Sequence, residues 1–260
     1  MTLRYKIEIA YDGTDFSGWQ LQPNAISIQG LLEKCAQQIL SQHIRIIGSG
    51  RTDAGAHALG QIAHFDGKLT MGPERFQAGL NALLPKTIRI LKVETTTDDF
   101  HAQYSAHSKI YHYRISSEPC DNPFTRRYTY RPRTPIDVDQ LQKAIPLFIG
   151  THDFTTFANV GGKVKNRVRT LFRIDLLKEE RVLCLAFEGN GFLYKMVRNI
   201  VGTLLEVASG KLALEEIPKL FKAKDRRAAP KGAPACGLTL IRINYDASVQ
   251  MSEFPCPKNS

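Results

Sequence analysis

The chain is poor in cysteine, in long apolar runs and in acid. Its five cysteines, Cys35, Cys120, Cys184, Cys236 and Cys256, are odd in number, scattered and never in CxxC spacing. That pattern excludes a zinc signature and fits free thiols in a reducing compartment. Nothing approaches 18 uninterrupted apolar residues, which argues against a membrane span. The opening MTLRYKIEIAYDGTDF lacks the apolar region of a signal peptide, so a soluble, cytoplasmic protein is expected. Acidic residues number 25 against 35 basic ones, for a formal net charge of +10. So basic a balance points to a polyanionic partner, nucleic acid being the commonest. Whole motifs are missing too. No GxxxxGK[ST] loop for a nucleoside triphosphate is present, and no RNP-type aromatic run of an RRM. Asp53, His57 and His64 have no recognised metal-ligand spacing: His57 reads as a loop residue, and His64 alternates with Ile62 as a strand residue does.

What is present is enough apolar residue, 43% of the chain, to build real cores. YKIEIAYDG alternates Ile7 and Ile9 with polar residues and ends in turn formers, a strand signal. SIQGLLEKCAQQILSQ spaces Ile28, Leu31, Leu32, Cys35 and Ile39 as a helix. HIRIIGSG and GQIAHFDG read as two further strands, Pro73 as the opening of a second helix, and TIRILKVET as a fourth strand. The resulting order, β-α-β-β-α-β, is that of ferredoxin-like folds. The second half gives a similar order: strand SKIYHYRISS, a helix from Asp137 that Pro146 must kink or shorten, the hairpin TLFRIDLLKE and RVLCLAFEGNGF, helix YKMVRNIVGTLLEVASG, a shorter helix LEEIPKLFKAK, and strand GLTLIRINYD. THDF, at 151–154, reads as structural packing. The expected fold is therefore α+β, two similar ferredoxin-like halves with antiparallel sheets and a cleft between them. The expected division is residues 1–104, residues 105–246 and a tail, 247–260.

Three basic loops interrupt these elements: RRYTYRPR with Arg126, Arg127, Arg131 and Arg133, KVKNRVR with Lys163, Lys165, Arg167 and Arg169, and KAKDRRAAPK with Lys222, Lys224, Arg226, Arg227 and Lys231. Cations on loops suit a phosphate backbone, and Tyr or Arg stacks on unpaired bases. GSGRTDAGAHAL, at 48–59, holds a lone carboxylate, Asp53, two residues after Arg51. A turn is its simplest reading, since Asp and Gly both favour turns. A lone carboxylate also suits a reaction that needs no water. Glycoside hydrolysis usually needs two carboxyls, whereas isomerising a base on its own ribose uses the detached base as the second nucleophile. Burial raises a carboxyl's pKa from about 3.9, so such a group requires a nearby cation.

The stretch GRTDAGAHALGQIAHFD resembles the signature of the tRNA pseudouridine synthase A family, as do, in order, AYDGTDFSGWQLQP, LNALLP, FHAQYSAHSKIYHYRI, GTHDFTTF, GNGFLYKMVRNIVGTLLEVASGK and AAPKGAPACGLTLIRINY. Together these blocks span residues 3 to 245. The resemblance implies isomerisation of uridine to pseudouridine at positions 38, 39 and 40 of the tRNA anticodon stem-loop, a homodimer sharing one tRNA, and no cofactor or required metal. It implies Asp53 as the catalytic carboxylate, Tyr111 as the residue stacking on the target base, and Arg198 as the partner of the aspartate. Arg51 joins Tyr111 and Arg198 as a substrate-binding residue. Ala56 departs from the family's usual valine, KIY replaces an RTY-like run, and Lys195 stands where another polar residue is common; these bear on substrate preference. Against this reading stand a non-catalytic RNA-binding module, a metal-dependent RNA hydrolase, and a synthase acting on another RNA site.

Overall fold

The computed structural model describes residues 2–161, 164 and 166–246. Lys163, Lys165, Cys256 and the tail 247–260 therefore lie outside the described residues. The period-2 pattern near the start forms strand β1 (Leu3–Tyr11), which buries Tyr5, Ile7, Ile9 and Tyr11 on one face. Helix α1 (Ile28–Leu40) begins where Ser27 Oγ accepts a hydrogen bond from Gly30 N, and it places Ile28, Leu32, Cys35 and Ala36 in the core. Strand β2 is only Ile47–Gly48. Strand β3 (His57–Gly67), helix α2 (Pro73–Leu83) and strand β4 (Ile88–Thr96) follow. Pro73 opens α2, which lacks a capping side chain, and Phe76 and Leu80 bury its inner face.

Downstream come β5 (Ser108–Ser116), α3 (Val138–Ala144), β6 (Gly150–Asp153), β7 (Val168–Glu179), β8 (Val182–Gly189), α4 (Met196–Ala208), α5 (Glu216–Ala223) and β9 (Leu238–Asn244). Pro146 does shorten its helix: α3 ends at Ala144, and Ile145–Phe148 continue as a 3-10 turn. Among the described residues no helix is long and apolar enough to cross a membrane. Cys35, Cys120 and Cys236 are free thiols.

The strands join in one nine-stranded sheet, ordered β4-β1-β3-β9-β5-β8-β7-β6, with β2 beside β3. With the edge strand β6 set aside, the run β4-β1-β3-β2 repeats as β9-β5-β8-β7, the same fourth-first-third-second order in each part of the chain. The α+β reading holds, and all but one of the pairings are antiparallel. The exception is the seam. There β3 and β9 run parallel, His57 opposite Thr239 and Ala58 opposite Leu240.

Two local expectations need correction. HIRIIGSG is mostly not strand, because side chains of α1 satisfy its backbone: Gln29 Nε2 donates to Ile46 O at 3.0 Å, and Glu33 Oε1 accepts from Ile46 N at 2.9 Å. Ile44 and Ile46 still enter the core. His57 is not a loop residue: it opens β3 and is buried at the seam.

Candidate active site

The loop before β3 lies on a cradle made by the turn after β1. Thr52 O accepts from Trp19 N at 3.2 Å, and Thr52 Oγ1 shares a 2.8 Å hydrogen bond with the hydroxyl of Tyr11. The contact is close because position 13 is glycine: a Cβ there would stand 1.9 Å from Ala56 O. Gly13→Ala is therefore expected to push the loop off its cradle. We expect it to destabilise the fold by about 1–3 kcal/mol, the usual range for a forced backbone shift, and to depress turnover; urea titration and a rate assay check both. An unchanged urea midpoint would mean that the loop yields freely.

Asp53 hangs from this cradle, its carbonyl accepting from Ala56 N at 3.1 Å. Its carboxylate receives Arg198 Nη1 at 2.7 Å, with the two side chains only 9% and 16% exposed. Arg198 lies in the first turn of α4, on the edge of the apolar stripe formed by Val197, Ile200, Val201 and Leu204. Its Nε donates to Ala233 O at 2.8 Å, so the guanidinium is held at two points and not free to swing. The segment carrying Ala233 crosses α4 at Gly202, where a Cβ would lie 2.2 Å from Lys231 O.

Tyr111 comes from β5. In register, Ala58 faces Leu240 and Leu240 faces Tyr111, so one row of the sheet carries the tyrosine across the seam towards the loop before β3. The ring is 7% exposed and meets Phe192 edge to face, centroids 5.0 Å apart. Burial, then the nearby Tyr11 and the charge of Asp53, push its phenol far above the ordinary value. Tyr11 itself is pushed up to about 12 by burial. Both hydroxyls thus stay protonated at neutral pH and act as donors or packing surfaces.

The structure brings Asp53 and Arg198 into contact and Tyr111 close enough to sense the aspartate's charge. It does not bring Arg51 into this group. Arg51 is exposed and, among the described residues, has no hydrogen-bond or ion-pair partner. His57 is engaged elsewhere: Nε2 donates to Cys236 O at 3.2 Å and Nδ1 accepts from Gly13 N at 3.1 Å, beside Asp12 at 3.2 Å. Burial lowers its pKa despite Asp12, so it is a neutral hinge pin between loops. His64 Nδ1 accepts from Ala102 N, and burial lowers this ring to about 4. Among the described residues no three His, Cys, Asp or Glu side chains group to hold a metal ion. Of the three departures, Ala56 is buried with its carbonyl against Gly13, and Lys195 Nζ sits 5.2 Å from the centre of the Tyr194 ring.

The basic loops divide by partner. Arg226 is structural, donating to Asn159, Asn199, Ala229 O and Pro230 O. Arg127, Arg131, Lys224 and Arg227 each meet an acid. Such exposed pairs are worth little and exchange readily for phosphates. Reading the sequence misses Arg226 because a cation in a loop looks the same whether it faces solvent or carbonyls. A cavity of about 840 Å³, lined by His112, Arg114, Thr239 and Ile241 among others, adjoins the opposite face of β5 and contains none of Asp53, Tyr111 or Arg198.

A family model described as tRNA pseudouridine synthase matches residues 8–105 and 144–246. The chain belongs to that family. It is similar to tRNA pseudouridine synthase A 1 of Protochlamydia amoebophila (strain UWE25), 52% identical over 246 residues, covering 93% of this chain and 96% of the relative. Similarity to tRNA pseudouridine synthase A of Chlamydia muridarum (strain MoPn / Nigg) is 45% over 248 residues, 94% of this chain and 93% of the relative. A solved Cbf5-Nop10-Gar1 complex aligns with a TM-score of 0.36 at 12% identity, over 91% of this chain and 58% of that one. Within the synthase family, the loop of Asp53 and the helix of Arg198 both fall in the matched segments.

Proposed function

We propose that this synthase isomerises uridine to pseudouridine at positions 38, 39 and 40 of the tRNA anticodon stem-loop, with Asp53 as its catalytic carboxylate. The observation that carries this reading is the 2.7 Å ion pair between Asp53 and Arg198, two residues 145 positions apart in the chain. A carboxylate taken out of water costs free energy unless a cation pairs with it, and Arg198 is held in place to supply that charge. The target nucleotide flips out of the loop, its base lies against Tyr111, and Arg51 reaches the RNA from outside. Asp53 promotes cleavage of the N1–C1′ bond. The detached base turns, C5 bonds to C1′, the C5 proton leaves to solvent and N1 gains one. A protonated Tyr111 offers the base an edge and a donor, not a phenolate. No metal or cofactor enters these steps.

The chain is read as two halves, 1–104 and 105–246, with the site between them. The homodimer sharing one tRNA and the cytoplasmic setting rest on the family resemblance. The direct test is tritium release from unmodified tRNA carrying [5-³H]uridine, in EDTA. Release by the wild type is expected; its absence, with tRNA binding intact, would overturn the reading in favour of a binding module or another RNA substrate. A second expectation concerns affinity. The basic loops displace counterions, so tRNA binding should weaken by at least about tenfold between 50 and 200 mM salt. A flat salt titration would make those loops bystanders.

A further inference from the structure

Lys109 is a buried cation. It sits on β5 two residues before Tyr111, so both side chains leave the same face of the strand. It is 9% exposed, and its Nζ donates to Ser49 O at 2.6 Å. The Gly50 backbone lies directly against it, since a Cβ on Gly50 would be 3.1 Å from Nζ. Among the described residues no carboxylate is within ion-pair distance of Lys109. The charge that acts on it is another cation, Arg169. The sheet explains why they meet: Lys109 and Leu171 both pair with Gly189, and Arg169 is two residues before Leu171, at the same end of the sheet. Arg169 is half-buried, and among the described residues its partners are carbonyls, its Nη1 donating to Asn166 O and Val168 O.

Two neighbouring, poorly solvated cations without a counterion form an unfavourable arrangement in the free protein. Burial and Arg169 together push Lys109 down to about 8. The arrangement becomes favourable when an anion joins it. Nζ has three donors and spends one on Ser49 O; Arg169 likewise retains donors beyond Nη1. We propose that Lys109 and Arg169 form a subsite for one RNA phosphodiester beside the flipped nucleotide, and that by gripping it they set the ribose against Asp53. This rests on the function proposed above. The bond to Ser49, four residues before Asp53, ties the subsite to the catalytic loop. Lys109 is thus a substrate-binding and positioning residue, not a proton carrier.

The test compares wild type, Lys109→Gln, Lys109→Arg and Arg169→Gln, with folding checked by circular dichroism. Binding of unmodified tRNA is titrated against salt, and binding of synthetic anticodon stem-loops is measured with single neutral methylphosphonates at the linkages flanking the target uridine. Lys109→Gln is expected to bind about tenfold more weakly, with a salt slope lower by about one contact. One methylphosphonate should weaken the wild type about tenfold and the Gln variant not at all, while Lys109→Arg restores most of the affinity. If Lys109→Gln does not fold, Arg169→Gln carries the same expectation. Turnover loss with an unchanged salt slope and an unchanged methylphosphonate penalty would overturn the proposal, leaving Lys109 as a clamp on Ser49. Pseudouridine formation by the wild type is recorded in parallel. Its absence would defeat the proposed function, while the methylphosphonate map would still decide the subsite.

Discussion

Replacing Asp53 by Asn is expected to lower pseudouridine formation by about four orders of magnitude, in line with losses on removing single catalytic groups, while tRNA should remain bound. Asn keeps nearly the shape of the side chain and removes its charge. Arg198 stays in place because Nε remains bonded to Ala233 O, and Nη1 retains an amide oxygen to donate to. One negative charge fewer beside a polyanion leaves binding unchanged or slightly tighter. The decisive measurement is tritium release alongside a binding titration on the same preparations. Turnover within tenfold of wild type would remove Asp53 from the chemistry and return its loop to a purely structural role.

The second large effect is on stability. Arg198→Met leaves the Asp53 carboxylate, 9% exposed, without its partner. Breaking a buried pair from one side typically destabilises by about 3–5 kcal/mol; the residual exposure of both groups places the expectation near the lower end, about 3 kcal/mol. The double variant, Arg198→Met with Asp53→Asn, should recover a large part of that loss, because a neutral amide is easier to bury than a lone carboxylate. The Ala233 bond is lost equally in the single and double Met variants. The cycle therefore isolates the charge coupling. Urea midpoints of wild type and the three variants give the answer. Equal destabilisation of the single and double Met variants would mean that the arginine stabilises by packing and its carbonyl contact alone.

Read locally, the chain announces most of its elements. The alternation in 3–11 buries Tyr5, Ile7, Ile9 and Tyr11 as β1, and the stripe through Val197, Ile200, Val201 and Leu204 is the inner face of α4. Pro146 marks the end of α3. These features are legible because side-chain period is a local property. The loop at 48–59 was legible for a different reason, its resemblance to a family signature, which also marked Tyr111 and Arg198. The limits are equally physical. HIRIIGSG has a strand's composition, but Gln29 and Glu33 take its backbone partners, and no local pattern foretells a side chain arriving from a helix. Lys109 was hidden among the alternating residues of β5, although its two-residue offset from Tyr111 was a usable signal.

Residue type and spacing, then, determined by themselves most of the elements and the α+β class, and the family resemblance marked the loop that bears Asp53. Only the tertiary structure decided that the half-sheets fuse through two parallel pairings, His57 with Thr239 and Ala58 with Leu240. It also decided that Arg226 turns inward to carbonyls, and it gave the Arg198–Asp53 pair, which the resemblance implied, its 2.7 Å contact across 145 residues. The reason lies in the range of the forces involved. Backbone sterics and side-chain period act between near neighbours in the chain, whereas the pairing of charges across the seam is settled only once the sheet closes and excludes water.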